Sequence, residues 1–319
     1  MARPGFVIAL SGGVGGAKLA LGLQSVLPAG ALRIVANTGD DFEHMGLHVS
    51  PDIDTLLYAL SDRDDRERGW GRRGETWAFM SALGELGAET WFNLGDKDLA
   101  VHVVRTRELA SGRSLSDVTA HLAKCLGISS PLLPMSDNPV RTHVSTDEGW
   151  MAFQPWFVGR RAGPAVHDIR FDGAELACPN PRVLDWLSEP GLEAIILCPS
   201  NPYLSIDPIL AVPGLRDAVR RAGVPVVAVS PIIAGNSVKG PTADLMHQRG
   251  ITPGIQAIAT HYRGLIDALV IDSLDELEVP GLDGLPYTLS NTLMVTLEDR
   301  MRVAEAAISL ARRLRGLRT

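Results

Sequence analysis

The sequence predicts an α/β fold: a Rossmann-like, mostly parallel sheet flanked by helices, with a smaller helical and antiparallel insertion in mid-chain. Three observations predict it. Phe6 to Leu10 is a continuous apolar run that ends in glycines, as a strand buried on both faces does. The same rhythm of short apolar strand, turn and helix returns after Ala194. Between the two halves lie alternating segments that read as antiparallel strands.

In chain order, Phe6 to Leu10 is the first strand, Lys18 to Leu27 a helix and Arg33 to Ala36 the second strand. Ser50 and Pro51 open another helix as N-cap and first helical residue, and Ile53, Leu56, Leu57 and Leu60 follow at helical spacing. Ser61 to Glu75 is charged and Gly-rich, a loop or helix end. Thr76 to Leu86 and Ser116 to Leu126 read as helices. Val140 to Ser145 and Trp150 to Val158 read as a hairpin joined at Thr146–Gly149, with Val166 to Phe171 as a third antiparallel strand. Ala194 to Leu197, Val224 to Val229 and Ala268 to Ile271 are further strands. Leu215 to Ala222 and Glu298 to Leu314 are helices. The expected organisation is a single catalytic domain over 1–319, with about 61–175 as an insertion or edge subdomain.

The chain has 319 residues and a net charge of −7, which argues against a general nucleic-acid or membrane surface. A small phosphorylated ligand needs only a few local donors and stays open. No stretch approaches the roughly 18 apolar residues of a membrane span, and the apolar run after Met1–Gly5 is too short for a secretory signal core. Cys125, Cys178 and Cys198 are odd in number and far apart. They read as reduced cytoplasmic thiols with no zinc site, Cys198 as a buried strand-end cysteine.

Ser11-Gly12-Gly13-Val14-Gly15-Gly16-Ala17-Lys18 follows a strand and precedes a helix. Glycines there let backbone amides approach a phosphate, and a helix N-terminus adds positive potential. It is neither a P-loop nor a dinucleotide fingerprint: Ala17 stands where the former needs Gly, and Lys18 where the latter needs Gly or Ala. A tight structural turn is the plainer reading. Asn37-Thr38-Gly39-Asp40-Asp41 ends the second strand, where ligands of parallel sheets sit, and also suits an Asx turn. In Pro51-Asp52-Ile53-Asp54-Thr55 the acids either complement the helix dipole or bind a hard divalent cation or a hydroxyl. Asn93-Leu94-Gly95-Asp96-Lys97-Asp98, with His102 and Arg105 beyond it, is either a solvated helix start or a device placing Lys97 and Arg105 on phosphate oxygens. Pro199-Ser200-Asn201-Pro202 and Ser230-Pro231-Ile232-Ile233 close two strands with turn-forming backbone and hydroxyls, and Leu133-Pro134-Met135-Ser136-Asp137 is a polar loop. The charged segment 62–73 reads as a solvated face; with Trp70 and Trp77 it also suits a lid on a flat ring.

Taken together and in this order, these segments resemble the 2-phospho-L-lactate transferase family, the CofD-like enzymes of coenzyme F-420 synthesis, from about residue 6 to 270. The resemblance implies transfer of a phospho-acid group (phospholactyl, phosphoenolpyruvyl or phosphoglyceryl) from a guanosine diphosphate ester to the ribityl hydroxyl of the deazaflavin Fo. GMP leaves, magnesium assists, and the enzyme is a cytoplasmic homodimer. The donor's diphosphate would rest on Gly12, Gly13, Gly15, Gly16 and Lys18, with Ser200, Asn201 and Ser230 completing the nucleotide cleft. Asp40, Asp41 and Asp52 would hold the metal. Asp52, Asp54 and Lys97 would serve catalysis, and Asp54, Lys97 and Trp70 would lie on the deazaflavin side. Many relatives carry Arg at Lys97 and Gly at Ala234, and the Lys keeps the charge without the bidentate fork. From another class, the alternative is a nucleotide-sugar- or phosphate-sensing regulatory protein with a similar glycine segment; the Pro-Asp-Ile-Asp and Leu-Gly-Asp-Lys-Asp segments favour the enzyme.

Overall fold

The computed structural model describes residues 5–318; Met1–Pro4, at the start of the N-terminal segment read above, and Thr319 lie outside them. Its centre is a seven-stranded sheet: β1 (Phe6–Ser11), β2 (Leu32–Ala36), β3 (Leu132–Pro134), β4 (Leu192–Leu197), β5 (Val226–Val229), β6 (Ala268–Asp272) and β7 (Tyr287–Ser290). Every neighbouring pair is parallel and the spatial order is 3-2-1-4-5-6-7. Winding therefore reverses between β1 and β4, and a crevice opens there at the carboxyl ends of the strands.

The apolar runs are continuous because both faces of the sheet are covered. Phe6, Ile8 and Leu10 of β1 point into one core with Leu197, Trp156 and Ile271; Val7 and Ala9 point into the other with Leu19, Leu57 and Ala304. The second core is closed by α1 (Gly13–Val26), α2 (Pro51–Leu60) and the C-terminal α4 (Leu297–Arg318), with the helix Leu115–Cys125 adding Leu115, Val118 and Leu122. A further helix, α3 (Asp96–Ala110), lies between α2 and β3 in sequence.

Several expected boundaries move, each for a physical reason. α1 begins at Gly13, so the glycine segment is the helix's first turn and not a loop ahead of it. Low glycine propensity hides that start, and close packing imposes it: a Cβ on Gly15 would meet the Pro199 carbonyl. The hairpin is present, Arg141–Thr146 against Gly149–Ala152, with Val166–Asp172 on the other side of Arg141–Thr146. Its second strand stops at Ala152, not Val158. Pro155 has no N–H for a ladder, and Pro155–Gly159 winds into a π-helical turn with Trp156 buried beneath it. The segment 61–175 is not wholly peripheral, since β3 lies inside it and pairs with β2.

Gly22 lets α1 and α4 approach closely: a Cβ there would meet the Arg300 carbonyl. Gly22→Val should therefore lower stability by about 1–3 kcal/mol in urea denaturation, the usual cost of overpacking. An unchanged midpoint would show that the two helices can slide apart.

Candidate active site

A cleft of about 540 Å³ opens over the carboxyl ends of β1, β4 and β5. One part is lined by Gly12, Gly13, Gly15, Lys18, Ser200 and Asn201, with Ser230, Lys239 and Thr292 beyond them. The other is lined by Asp40, Asp52, Asp54, Tyr58, Asp98 and His102, with Phe92, Phe153 and Phe157 as its apolar surface.

The turn from β1 into α1 is locked at its base. Gly13 takes φ +63, a left-handed conformation that favours glycine. Its N–H donates to Asp52 Oδ1 at 2.6 Å. Ser200 Oγ accepts from Gly12 N–H at 3.1 Å and donates to the Gly12 carbonyl at 2.8 Å, joining the two strand-end loops. Asn201 Oδ1 caps its own turn through the Tyr203 and Leu204 N–H groups, while its Nδ2 is buried without a hydrogen-bond partner. Ser230 Oγ is turned back on Ile232. Lys18 Nζ donates to the Met294 carbonyl at 2.8 Å, and burial, Arg300 and Lys239 lower its pKa. Gly16 packs against Ser11 and Ser200 and does not line the cleft.

Asn37 organises the acids. Its Nδ2 donates to Asp40 Oδ1 at 3.0 Å and to Asp52 Oδ2 at 2.9 Å. Burial and the Asp52 charge push Asp40 well above the ordinary carboxylate range, and burial is the chief cause that takes Asp52 up to about 6. Asp41 turns away from the cleft, accepting from Ser50 Oγ at 2.9 Å with His48 Nε2 at 3.1 Å. Two buried carboxylates at a helix N-terminus, each disfavoured as a lone anion, fit a hard divalent cation that completes its shell with substrate phosphates and water. Asp40 and Asp52 are the two that could hold one.

Asp54 stands differently. Both its oxygens accept from the guanidinium of Arg105, which is fully buried. Arg105 is therefore a buried partner of Asp54, not the phosphate ligand its sequence position suggested. His102 Nδ1 lies 3.6 Å from Asp54 Oδ2 and its Nε2 3.4 Å from Asp98 Oδ2. Asp54, Asp98 and His102 have ligand atoms within 4.8 Å of one another, but Arg105 already neutralises Asp54 and supplies the positive charge a cation would bring. Tyr58 is a site residue that sequence reasoning missed, whereas Asp98 and His102 lay in a segment it singled out, with Lys97 and Arg105 as the expected phosphate ligands there. The signal was present in the i, i+4 spacing of Asp98 and His102, but it needed the partner helix α2 to be meaningful.

Lys97 is exposed, donates to the Gly74 carbonyl at 2.6 Å and does not line the cleft, because it sits on the outer side of α3's first turn. Trp70 does line it, tilted against Trp77 at 6.2 Å, with the Arg68 guanidinium 4.9 and 4.8 Å from the two rings. Lys239, from the opposite wall, donates to the Gly69 carbonyl and straps the mouth. Cys198 is buried, and burial pushes its thiol up to about 12, so it is chemically inert.

Among the described residues no helix is long and apolar enough to cross a membrane. The family described as "2-phospho-L-lactate transferase CofD" matches residues 7–299. The chain is 38% identical to a 2-phospho-L-lactate transferase of Methanosarcina mazei, over 95% of this chain and 99% of that one. It is 40% identical to a phosphoenolpyruvate transferase of Kitasatospora aureofaciens, over 97% and 98%. Among solved structures, a UPF0052-family protein of Bacillus halodurans superposes with a TM-score of 0.66 at 17% identity, covering 97% of this chain and 100% of that one, which shows the fold alone.

A raised carboxylate pKa stabilises the fold at low pH and loses that advantage as pH rises. For the metal-free protein Asp52 should therefore become a growing burden from about pH 4 to about 6, and Asp40, also raised, should add to it as it ionises. Asp40→Asn should be more stable than the parent at pH 7 without metal, and magnesium should raise the melting temperature of the parent but not of the variant. An equal magnesium response in both would remove Asp40 from the cation site.

Proposed function

This chain belongs to the 2-phospho-L-lactate transferase CofD family, and we propose that it is a magnesium-dependent transferase of coenzyme F-420 biosynthesis. It moves a phospho-acid group from a guanosine diphosphate ester to the ribityl hydroxyl of the deazaflavin Fo and releases GMP. The transferred group is phospholactyl, phosphoenolpyruvyl or phosphoglyceryl; relatives named for the first two are similarly close in sequence. The observation that carries the reading is the shared seat of a helix N-terminus and a carboxylate pair: Gly13 N–H and Asn37 hold Asp52, with Asp40 beside it, at the point where winding reverses.

The amides of α1's first turn and the cations Lys18 and Lys239 bind the donor's diphosphate, since oriented N–H groups and fixed positive charge suit it without rearrangement. Ser200, Asn201 and Ser230 bind the rest of the nucleotide, the unpartnered Nδ2 of Asn201 being the free donor among them. Magnesium, held by Asp40 and Asp52, would neutralise charge on the phosphates. The apolar side of Phe92, Phe153, Phe157 and Trp70 takes the flat ring of the acceptor, and the strap between Lys239 and Gly69 excludes water around the reacting atoms. Asp54 acts through Arg105, fixing the wall on which the ribityl chain lies. Lys97, bonded to the Gly74 carbonyl outside the cleft, has no contact with the acceptor on this reading. Catalysis on this reading is positioning and charge stabilisation, as phosphoryl transfer requires.

With Fo, magnesium and each of the three guanosine diphosphate esters, mass spectrometry should show Fo gaining one phospho-acid group and an equal amount of GMP appearing, with one donor preferred. No product from any of the three, and no change in Fo fluorescence on titration with the protein, would remove the transferase reading and favour a ligand sensor.

A further inference from the structure

The acids along the cleft are not equivalent as proton acceptors. Asp52 has one oxygen on Gly13 N–H and the other on Asn37, and Asp40 shares that Asn37 donor. Asp54 has both oxygens on Arg105. Asp98 is different: its Oδ1 accepts from the Tyr58 hydroxyl, its Oδ2 faces His102, and its side chain is 14% exposed against 5% for Asp54.

His102 is the second observation. Its side chain is 2% exposed and its Nε2 has no hydrogen-bond partner. The Arg105 guanidinium lies 3.3 Å from Nδ1. A guanidinium only donates, so Nδ1 accepts and the neutral ring carries its proton on Nε2. That N–H faces Asp98 Oδ2 at 3.4 Å. A line of contacts thus runs from Asp54 through Arg105 and His102 to Asp98; Asp54, His102 and Asp98 all line the cleft, and Asp98 is the more exposed of the two acids, its Oδ2 held only by the long 3.4 Å contact to His102 and so able to accept a further donor.

We propose that Asp98 accepts the proton of the attacking hydroxyl, and that His102, fixed by Arg105, is the positioning residue that holds Asp98 toward the cleft. The assignment rests on the transferase reading. The hydroxyl oxygen forms a bond to the phosphorus of the phospho-acid group. The bond from that phosphorus to the bridging oxygen breaks, and its electron pair leaves with the nucleoside monophosphate. The hydroxyl proton passes to Asp98, as a positioned carboxylate takes it in other phosphoryl transfers. The charged and titratable groups facing Asp98 are Tyr58 and Asp54 of α2, His102 and Arg105 of α3, and Glu75, which accepts from the Asp98 N–H at 3.0 Å. Burial alone would raise the Asp98 pKa; His102, Tyr58 and Arg105 outweigh it and hold the group below its ordinary value. Asp98 is therefore ionised at neutral pH.

The test is Asp98→Asn in the full chain, assayed with Fo and the preferred donor. kcat should fall by about 100-fold or more, the usual size of a general-base contribution. The Fo dissociation constant from fluorescence should stay close to the parent's. Asp98→Glu should recover part of kcat. His102→Gln, which keeps an N–H near the Nε2 position, should retain more kcat than His102→Leu at similar KM. Should Asp98→Asn fail to fold, Tyr58→Phe removes one donor to Asp98 and should move the acid limb of kcat to higher pH. Near-parental kcat in Asp98→Asn, a loss of Fo binding that matches the loss of kcat, or an unmoved acid limb in Tyr58→Phe would overturn the assignment alone. A parent protein inactive with all three donors would overturn the transferase reading, and this assignment with it.

Discussion

The site depends on one interaction, the seat of Asp52 under the first turn of α1. Its two oxygens take Gly13 N–H from the β1–α1 turn and the Asn37 amide from the end of β2, while Asp52 itself belongs to α2. Three elements that carry the ligand-binding edge of the sheet are thereby held in one geometry. A buried carboxylate is expensive to keep, and two near each other more so. The helix N-terminus and Asn37 offset part of that cost and leave the rest as affinity for positive charge. The same tension that makes the pair a burden in the metal-free chain would suit it to hold a cation, as the proposed function requires.

Around that seat the cleft is divided by charge. Lys18 and Lys239 line one part, and both have lowered pKa values chiefly through burial. The acids of α2 and α3 line the other. On the proposed reading such a layout seats the donor's diphosphate between the first turn of α1 and the lysines. It leaves the hydroxyl of an uncharged acceptor to approach from the acidic side. The orientation follows from where the fixed charges lie, whatever acid the donor carries.

Much of this was legible in the sequence because strands buried on both faces and glycine-rich strand ends leave strong local signals. Phe6–Leu10, Ala194–Leu197 and Ala268–Ile271 announced the parallel sheet, and Asn37 to Asp41 announced its ligand edge. What was not legible came from distance. Nothing around Arg105 says that its partner is Asp54, 51 positions earlier, so a guanidinium that neutralises a buried acid looked like one that binds phosphate. Asp41 reads like Asp40 until His48 and Ser50 claim it. Pro155 carried a local signal, since a residue without an N–H closes a ladder. The apolar alternation around it masked that signal.

A distant neighbour shares the fold at 17% identity, and on the proposed reading the doubly wound sheet and the glycine turn serve the donor's phosphates. They do not account for the acceptor side. On the proposed reading that side is built by α2, α3 and the segments between them, placed in sequence between β2 and β3, with Phe153 and Phe157 from the chain after β3. Arg105, Asp98 and His102 all come from α3 and meet α2 through Asp54 and Tyr58. Removing either partner of the Asp54–Arg105 pair would leave a buried charge unmatched, a far greater loss than the pair contributes intact. The pair is thus poor evidence of stability and good evidence of register: it fixes how α3 docks on α2, and so where Asp98 stands relative to the phosphate seat. If the proposed transfer takes place here, that docking decides its rate, because the distance between a proton acceptor and a phosphorus must be held to within fractions of an ångström.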